Sequence, residues 1–348
     1  VRWTFDLPAP DLQMPARALL STIDEGVHRA RGVHPGPVQL NCPFREPLAP
    51  APEAWDRTWL DPVQGWLEDD EPLVAFAGGD AQEDLFAEGL LEEMRTAERG
   101  VVVLGTLDRY DAMEAVSLAG RLGWPVWTDV RSGMRLGPRF PGQAAHLDRL
   151  LADGVVEAPD VVLQFGGRLT SKRMQTFLDA GHASSYILVD ADPSRMDPGH
   201  QVTTRVHCEV YRFCETLEGL LDSRPHEGPT LDVAAADARV DAAIETAVDG
   251  GDALSEPWVA RWLTRAMDKD HGLFIGNSMP IRDVQQYGAV GGVELDVGTN
   301  RGASGIDGNV STAAGFAQGW DRPTTLLAGD LTVLHDVNAL AMLGALEF

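Results

Sequence analysis

The middle of the chain alternates short apolar runs with stretches of helical periodicity. The runs lie at 101–105, 125–129, 160–166 and 186–190, and no hairpin turn joins them. We expect helices between them, ending at Leu122 and covering about 143–152 and 171–180. Apolar strands that alternate with helices predict an α/β fold, in which helices cover both faces of a parallel sheet.

A second α/β unit follows a segment rich in proline, glycine and aspartate at 223–232, which we interpret as a linker. Its strands are expected at 273–276, 293–296 and 324–328. Before residue 95 the pattern is weaker, with short strands predicted within 36–43 and 72–76. Strands that end in glycine or aspartate place polar groups at the carboxyl edge of a sheet, where such folds bind ligands.

Charge and composition narrow the classes of function. The formal net charge is −25, and only two of the 28 basic residues are lysines, Lys172 and Lys269. Such an excess of acid argues against nucleic-acid binding, because a protein that neutralises phosphates needs a basic surface. A hydrophobic content of 44% argues against a disordered acidic chain. We therefore expect a salt-adapted cytoplasmic protein, without a membrane-spanning segment.

Residues 276–282, GNSMPIR, join a predicted strand to a helix that has Pro280 in its first turn. Arg282 follows Ser278 by four residues, so that the hydroxyl and the guanidinium can face one ligand. A simple helix cap with a surface arginine is the alternative. A nucleophilic serine is not expected, because Ser278 lacks the glycine elbow that such a serine needs.

Two further segments have the features of a cofactor cradle. Residues 299–309, TNRGASGIDGN, contain three glycines and lead into a helix predicted at 310–318, whose amino end favours negative charge. Residues 329–332, GDLT, place Asp330 directly after a predicted strand. A carboxylate there suits a divalent ion that neutralises a diphosphate. Asp330 could equally cap the following helix.

Residues 166–173, GGRLTSKR, place two cations in the first turn of a predicted helix. The segment is not a P-loop, because Ser171 stands where glycine should precede the lysine. Thr170 or Ser171 could cap the helix. Lys172 and Arg173 would then oppose the helix dipole, which favours an anion site over a purely structural role.

Together these segments resemble one family, the 2-succinyl-5-enolpyruvyl-6-hydroxy-3-cyclohexene-1-carboxylate synthases of menaquinone biosynthesis. The segments that carry the resemblance are NCPFREPL at 41–48, TSKR at 170–173, GNSMPIR at 276–282, NRGASGIDG at 300–308, GDLT at 329–332 and HDVN at 335–338. The resemblance implies a three-domain thiamine-diphosphate enzyme with its first and third domains truncated. On it, 1–50 is the tail of the pyrimidine-binding domain, 51–94 a linker into the central domain, 95–222 the central domain, 223–232 a linker and 233–348 the truncated diphosphate-binding domain.

The resemblance also implies an activity, that of a cytoplasmic transferase working as a homodimer or homotetramer. Such an enzyme decarboxylates 2-oxoglutarate and adds the resulting enamine to isochorismate. Its cofactors are thiamine diphosphate and Mg²⁺ or Mn²⁺. No nucleic acid or membrane is expected as a partner.

Roles for individual residues follow from the same resemblance. Ile306 is expected to support the bent cofactor, which makes it the catalytic candidate, and Asp330 to bind the metal. The expected substrate-binding residues are Ser278, Arg282, Arg301, Lys172 and Arg173. The expected cofactor-binding residues are Gly302, Ser304, Gly305, Ile306, Gly329, Asp330 and Leu331.

Other interpretations stay open from the sequence. We expect the chain to be a fragment of a longer enzyme, because the glutamate that activates the cofactor in this family and the second metal ligand have no counterpart in it. An acetolactate-synthase-like enzyme is one alternative, although the cationic pairs suit a polycarboxylate better than pyruvate. A non-catalytic α/β binding protein is the other, and it would not require the polar segments to converge on one cleft.

Overall fold

The computed structural model describes residues 3–31, 37–46, 55–69, 71–77, 83–192, 195–221, 233–250, 254–302 and 305–343. The predicted linker at 223–232 lies outside the described residues, as do Ser304 and the last two residues of the segment 41–48. None of the described helices is long and apolar enough to cross a membrane.

The described strands all pair in parallel. They are β1 (Trp3–Asp6), β2 (Val38–Asn41), β3 (Ala75–Ala77), β4 (Gly100–Leu104), β5 (Val126–Thr128), β6 (Gln143–Ala144), β7 (Val161–Phe165), β8 (Ser185–Val189), β9 (Thr204–Val206), β10 (Gly272–Ile275), β11 (Asp296–Thr299) and β12 (Thr324–Leu327).

Helices connect these strands, together with short 3₁₀ turns at Arg57–Val63 and Val337–Ala339. The α-helices are α1 (Ala16–Arg31), α2 (Gln64–Glu68), α3 (Glu83–Thr96), α4 (Arg109–Leu122), α5 (Leu147–Ala152), α6 (Lys172–Asp179), α7 (Val210–Leu220), α8 (Ala234–Asp249), α9 (Glu256–Ala266), α10 (Met279–Tyr287), α11 (Asn309–Trp320), α12 (Asp330–His335) and α13 (Leu340–Leu343).

The largest sheet has seven strands in the order β3-β9-β8-β7-β4-β5-β6. Its central strands are mainly apolar because both faces are covered, and the polar residues within them, Gln164 of β7 and Ser185 of β8, are buried. Along β4, Val102 and Leu104 pack into one core with α4 and α7, whereas Val101 and Val103 pack into a second core with α5 and α6. The predicted parallel sheet covered on both faces by helices is thus confirmed.

A smaller sheet has the order β11-β10-β12. Ile275 at the end of β10 pairs with Thr299 of β11 on one side and with Leu327 of β12 on the other. The three strands therefore end at one level, and the segments that follow them emerge at the same edge. The core beneath includes Val130 and Leu136 from the large-sheet unit, so the two units pack against each other.

Two predicted elements differ from the observed ones. The strand expected at 293–296 begins only at Asp296, because the preceding residues bond to the large-sheet unit. The Gly291 amide donates to the Gly137 carbonyl (2.7 Å), and Glu294 forms an ion pair with Arg109 (2.9 Å). The helix expected at 143–152 begins at Leu147, because Gln143–Ala144 pairs with β5 as the edge strand β6.

The N-terminal part contributes β1 and β2, which pair with each other. Helix α1 packs against β2. Strand β3, inside the predicted linker 51–94, pairs with β9 and forms one edge of the seven-stranded sheet. The domain boundaries given above stay predictions.

Candidate functional site

The carboxyl edge of the small sheet brings three of the predicted segments together. Asn277 follows β10, Asn300 follows β11, and Asp330 lies three residues beyond β12. Helices α10 and α11 begin close to this edge, so the positive ends of their dipoles lie there. An anionic group bound between these segments would be stabilised electrostatically.

Two buried asparagines shape the glycine-rich loop. The Asn277 side-chain amide donates to the carbonyl oxygens of Asn300 (3.1 Å) and Gly305 (2.7 Å). The Asn309 amide donates to the Ile306 carbonyl (2.8 Å), and its oxygen accepts from the Asn277 backbone N–H (3.4 Å). The Asn277 Oδ1 atom is buried and has no partner among the described residues, so it remains available as an acceptor.

Glycine is required within this loop. Gly302 and Gly308 have φ values of 154° and 70°, a region that residues with a Cβ rarely adopt. A Cβ built at either position would meet no atom within 4 Å, so the loop borders open space. Gly305 is exposed and Ile306 is half-buried. The described part of the loop therefore offers backbone groups and the Ile306 side chain to a prospective ligand.

Asp330 opens α12 and is exposed. Gly329 occupies the cap position, so the alternative in which Asp330 itself caps the helix is wrong. Within the described part of the chain, the Asp330 carboxylate forms no hydrogen bond or ion pair, and no group of three His, Cys, Asp or Glu side chains could enclose a metal. Leu331, beside it, is 61% exposed.

A cleft of about 410 Å³ lies at the junction of the two units. Lys172 and Arg173 line it from the start of α6 in the large-sheet unit, and Arg282 lines it from α10 in the small-sheet unit. The other lining residues are Asp148, Thr170, Ser171, Thr176, Gln285 and Gln286. The structure thus brings together three of the five predicted substrate-binding residues.

The cleft carries an excess of positive charge. Ser171 caps α6, since its hydroxyl accepts from the Met174 N–H (3.0 Å), and this places the Lys172 and Arg173 cations at the positive end of the helix. Among the described residues that line the cleft, Asp148 is the only acidic one. Burial raises its pKa, although the Ser171 hydrogen bond and the Arg173 charge oppose that rise. The arrangement suits a ligand with carboxylate groups.

Ser278 does not line this cleft. It is exposed and has φ 74° and ψ −125°, an uncommon conformation for a residue with a side chain. The Arg282 guanidinium donates to the Ser278 carbonyl oxygen (2.8 Å), not to its hydroxyl. The two residues therefore meet as the spacing predicted, but through the backbone of Ser278.

Arg301 belongs to a second group of cations, together with Arg131 and Arg168. Of these three, only Arg301 was predicted from the sequence. Arg131 is half-buried, and its guanidinium donates to the Thr170 hydroxyl (3.2 Å) and to the Arg168 carbonyl oxygen. Burial lowers the pKa of Arg131; Asp129 opposes this shift, while the charges of Arg301 and Arg168 add to it. The available signal was its position two residues after the predicted strand 125–129.

Comparison with known proteins places these features in context. Residues 57–275 match the family described as the middle domain of thiamine pyrophosphate enzymes. The chain is 39% identical to the 2-succinyl-5-enolpyruvyl-6-hydroxy-3-cyclohexene-1-carboxylate synthase of Rubrobacter xylanophilus, over 99% of this chain and 60% of that protein. It is also 39% identical to the synthase of the same name from Salinibacter ruber, over 99% of this chain and 59% of that protein.

A plant relative shows the same coverage of this chain inside a much longer protein. The chain is 36% identical to the chloroplastic protein PHYLLO of Arabidopsis thaliana, over 99% of this chain and 22% of that protein. The chain spans about three fifths of the length of the two bacterial synthases.

Proposed function

The chain belongs to the thiamine pyrophosphate enzyme family, and from this premise we propose that it forms the central and diphosphate-binding parts of a synthase that joins 2-oxoglutarate to isochorismate. The two bacterial relatives carry the name of that synthase, and both match this chain over nearly all its length. The observation that carries the proposal is the cleft in which Lys172, Arg173 and Arg282 meet from two separate units.

The edge of the small sheet fits thiamine diphosphate. Gly302, Gly305, Gly329 and Leu331 would hold the diphosphate end, because the loop there borders open space and helix amino ends lie nearby. Ser304, which lies outside the described residues, stays a prediction for the same role. Ile306 would support the cofactor by apolar contact. When bound, thiamine diphosphate supplies the electron sink that decarboxylation of a 2-oxo acid requires.

Asp330 would be a ligand of the magnesium or manganese ion that neutralises the diphosphate. Its carboxylate is exposed and its oxygens are the kind of donor that Mg²⁺ prefers. A single carboxylate together with diphosphate oxygens is a usual Mg²⁺ site, so the absence of a larger acidic cluster among the described residues agrees with this role.

The cations of the cleft would bind and orient the carboxylates of the substrates. Two arginines can pair with carboxylates in bidentate fashion, and Lys172 adds a point charge. The cleft also gives an anionic substrate a favourable local field on a chain whose net charge is −25. Arg301, near Arg131 and Arg168, would bind a further carboxylate at the edge of the glycine-rich loop.

The packing of the large sheet argues against a nucleotide-binding protein. In such sheets the ligand enters where the strand order reverses, here between β4 and β7. A Cβ added to Gly105 would lie 2.1 Å from the Gly167 carbonyl oxygen, and one added to Gly166 would lie 2.4 Å from the Thr106 carbonyl oxygen. Backbone therefore fills this crevice.

Binding of 2-oxoglutarate and of pyruvate to the complete enzyme tests the proposal. With Mg²⁺ and an unreactive analogue of thiamine diphosphate bound, so that neither acid is decarboxylated, calorimetry should show tighter binding of 2-oxoglutarate, and Arg282→Ala should reduce that preference about tenfold, as expected for the loss of a charged hydrogen bond. Arg239→Ala, an exposed arginine on α8 away from the cleft, is the control. Equal binding of both acids would favour an acetolactate-synthase-like enzyme, and unchanged binding in Arg282→Ala would favour a non-catalytic protein.

A further inference from the structure

Gln285 joins the helix that carries Arg282 to the large-sheet unit. It lies three residues after Arg282 on α10 and is 2% exposed. Its side-chain oxygen accepts from the Val130 N–H (2.6 Å), and its amide donates to the Thr128 carbonyl (3.3 Å). One side chain thus bonds in both directions to the segment at the end of β5.

The same segment also supports the opposite side of the cleft, where Lys172 and Arg173 lie at the start of α6. Asp129, between Thr128 and Val130, is fully buried and accepts from both the backbone N–H and the hydroxyl of Thr170, the latter at 3.0 Å. Thr170 precedes Ser171, which caps the helix that carries Lys172. Three consecutive residues at the end of β5 therefore hold both cationic walls.

Arg135 makes a second bond to α10. It is fully buried, and it donates to the carbonyl oxygens of Gln285 (3.1 Å) and Gly288 (3.2 Å). These carbonyls lie at the carboxyl end of α10, where a cation is favourable. These bonds hold the carboxyl end of α10 and do not involve the side chain of Gln285. A substitution of Gln285 therefore removes its own side-chain bonds and leaves those of Arg135 in place.

Cations that face one cleft repel each other, so their spacing requires support from elsewhere in the fold. Arg173 donates to the Asp148 carbonyl oxygen (3.2 Å) and Arg282 to the Ser278 carbonyl oxygen, and each of these bonds lies within the residue's own unit. Lys172 has no hydrogen bond or ion pair with another described residue. The distance between α6 and α10 across the cleft is therefore set by the bonds that cross between the two units. Among these bonds, those of Gln285 lie closest along the chain to Arg282.

We propose that Gln285 is a positioning residue, which sets Arg282 against Lys172 and Arg173 at the spacing that a dicarboxylate requires. The inference rests on the proposed function, because it takes the cleft to be the substrate site. Although Gln285 lines the cleft, its side-chain oxygen and amide are bonded to Val130 and Thr128, so it acts through Arg282 and the end of β5, by holding one side of the cleft against the other.

A double-mutant cycle on the complete enzyme tests this role, with the KM measured in the presence of thiamine diphosphate and Mg²⁺ and the Kd measured with an unreactive analogue of the cofactor in its place. Gln285→Met keeps the length of the side chain and removes both hydrogen bonds. We expect it to raise the KM and the Kd for 2-oxoglutarate about fivefold, with kcat changed less than twofold, since it alters ligand placement more than the chemical step. In the Arg282→Ala background, Gln285→Met should have no further effect on the Kd.

Gln143→Met is the matched control. Gln143 is also 2% exposed, and its amide donates to the Met134 carbonyl (3.0 Å), but it lies on β6 and does not line the cleft. It should leave the Kd for 2-oxoglutarate unchanged. If Gln285→Met does not fold, Thr170→Val provides the second cycle, with Lys172→Ala, because it removes the bonds of the hydroxyl to Asp129 and Arg131 and keeps the shape of the side chain.

The outcomes separate this inference from the proposed function. If Arg282→Ala itself leaves the Kd unchanged, the proposed function fails. If Arg282→Ala weakens binding while Gln285→Met has no effect, or the two effects simply multiply, the positioning role is refuted and the proposed function stands. In the second cycle, multiplied effects of Thr170→Val and Lys172→Ala refute the shared support at the end of β5.

Discussion

The side-chain amide of Asn277 lies 2.7 Å from the carbonyl oxygen of Gly305 and ties the end of β10 to the glycine-rich loop after β11. The same amide also donates to the Asn300 carbonyl. One buried side chain therefore spans two adjacent strand ends. These bonds hold the described part of the loop that we propose as a cofactor cradle, and such preorganisation lowers the entropic cost of binding.

Asn277→Ala should reduce both stability and cofactor affinity. Two hydrogen bonds are lost, at about 1 kcal/mol each, so the free energy of unfolding should fall by about 2 kcal/mol. We expect the Kd for thiamine diphosphate, measured by calorimetry with Mg²⁺ present, to rise about tenfold. Gln318→Ala removes an exposed carboxamide on α11 and should change neither quantity. An unchanged Kd in Asn277→Ala would show that the loop keeps its shape without this amide.

Asp330 and Arg301 should differ in what their removal weakens. Asp330→Ala should abolish tight binding of metal and of thiamine diphosphate, because it removes the proposed metal ligand. Arg301→Ala should raise the KM for 2-oxoglutarate or isochorismate and leave cofactor affinity nearly unchanged. Calorimetry of the cofactor and steady-state kinetics measure the two effects. An equal loss of cofactor affinity in both variants would contradict the separate roles.

Acid should destabilise the fold through His207. Burial, with the nearby charges of Arg205, His28 and Arg29, lowers the pKa of His207 to about 4. In the unfolded chain a histidine has a pKa near 6.5. The unfolded state therefore binds the proton first, and stability falls as the pH drops from about 6.5 to about 4. The loss should be about 1–2 kcal/mol after solvent screening is allowed for.

His207→Phe should remove that part of the acid sensitivity. Phenylalanine can take the place of the His207 ring, because that ring makes edge-on contacts with His28 and Phe76 and its Nε2 atom has no partner among the described residues. His182→Phe, on an exposed histidine, is the control. Urea unfolding at pH 7 and pH 5 measures the difference, and the same pH dependence in His207→Phe and in the unmutated protein would exclude His207 as its source.

High salt should stabilise the folded chain. The net charge of −25 predicts repulsion across the surface, and molar salt shortens the Debye length to about 3 Å. We expect Tm to rise between about 0.1 M and about 2 M KCl. Sodium sulfate is not a suitable substitute, because it also strengthens hydrophobic burial. A Tm that is flat or falling with KCl would contradict the salt-adapted interpretation of the composition.

The sequence predicted the strands that are mainly apolar and missed features that depend on long-range contacts. The runs at 101–105 and 160–166 were correct because strands buried on both faces are almost continuously apolar, with Gln164 the one polar residue within β7. The strand at 293–296 was misplaced because the residues before Asp296 bond to the other unit, Gly291 to Gly137 by a hydrogen bond and Glu294 to Arg109 by an ion pair. No local pattern reports such a partner.

The candidate site was likewise predictable from the sequence only in part. Lys172, Arg173 and Arg282 could be selected one by one from their positions after predicted strands. Their convergence could not, because it depends on how the two units pack, and Arg282 lies more than 100 residues from Lys172 and Arg173 along the chain. Gln285 and Arg135 give no local signal at all, since their role comes from carbonyls and amides of distant segments.

The most direct test of the central claim is the reaction of the complete enzyme. It is supplied with thiamine diphosphate, Mg²⁺, 2-oxoglutarate and isochorismate, and the product is identified by mass spectrometry. We predict a product that contains both substrates less one carbon dioxide, and little product when pyruvate replaces 2-oxoglutarate. A joined product formed from pyruvate but not from 2-oxoglutarate, or none from either, would contradict the account.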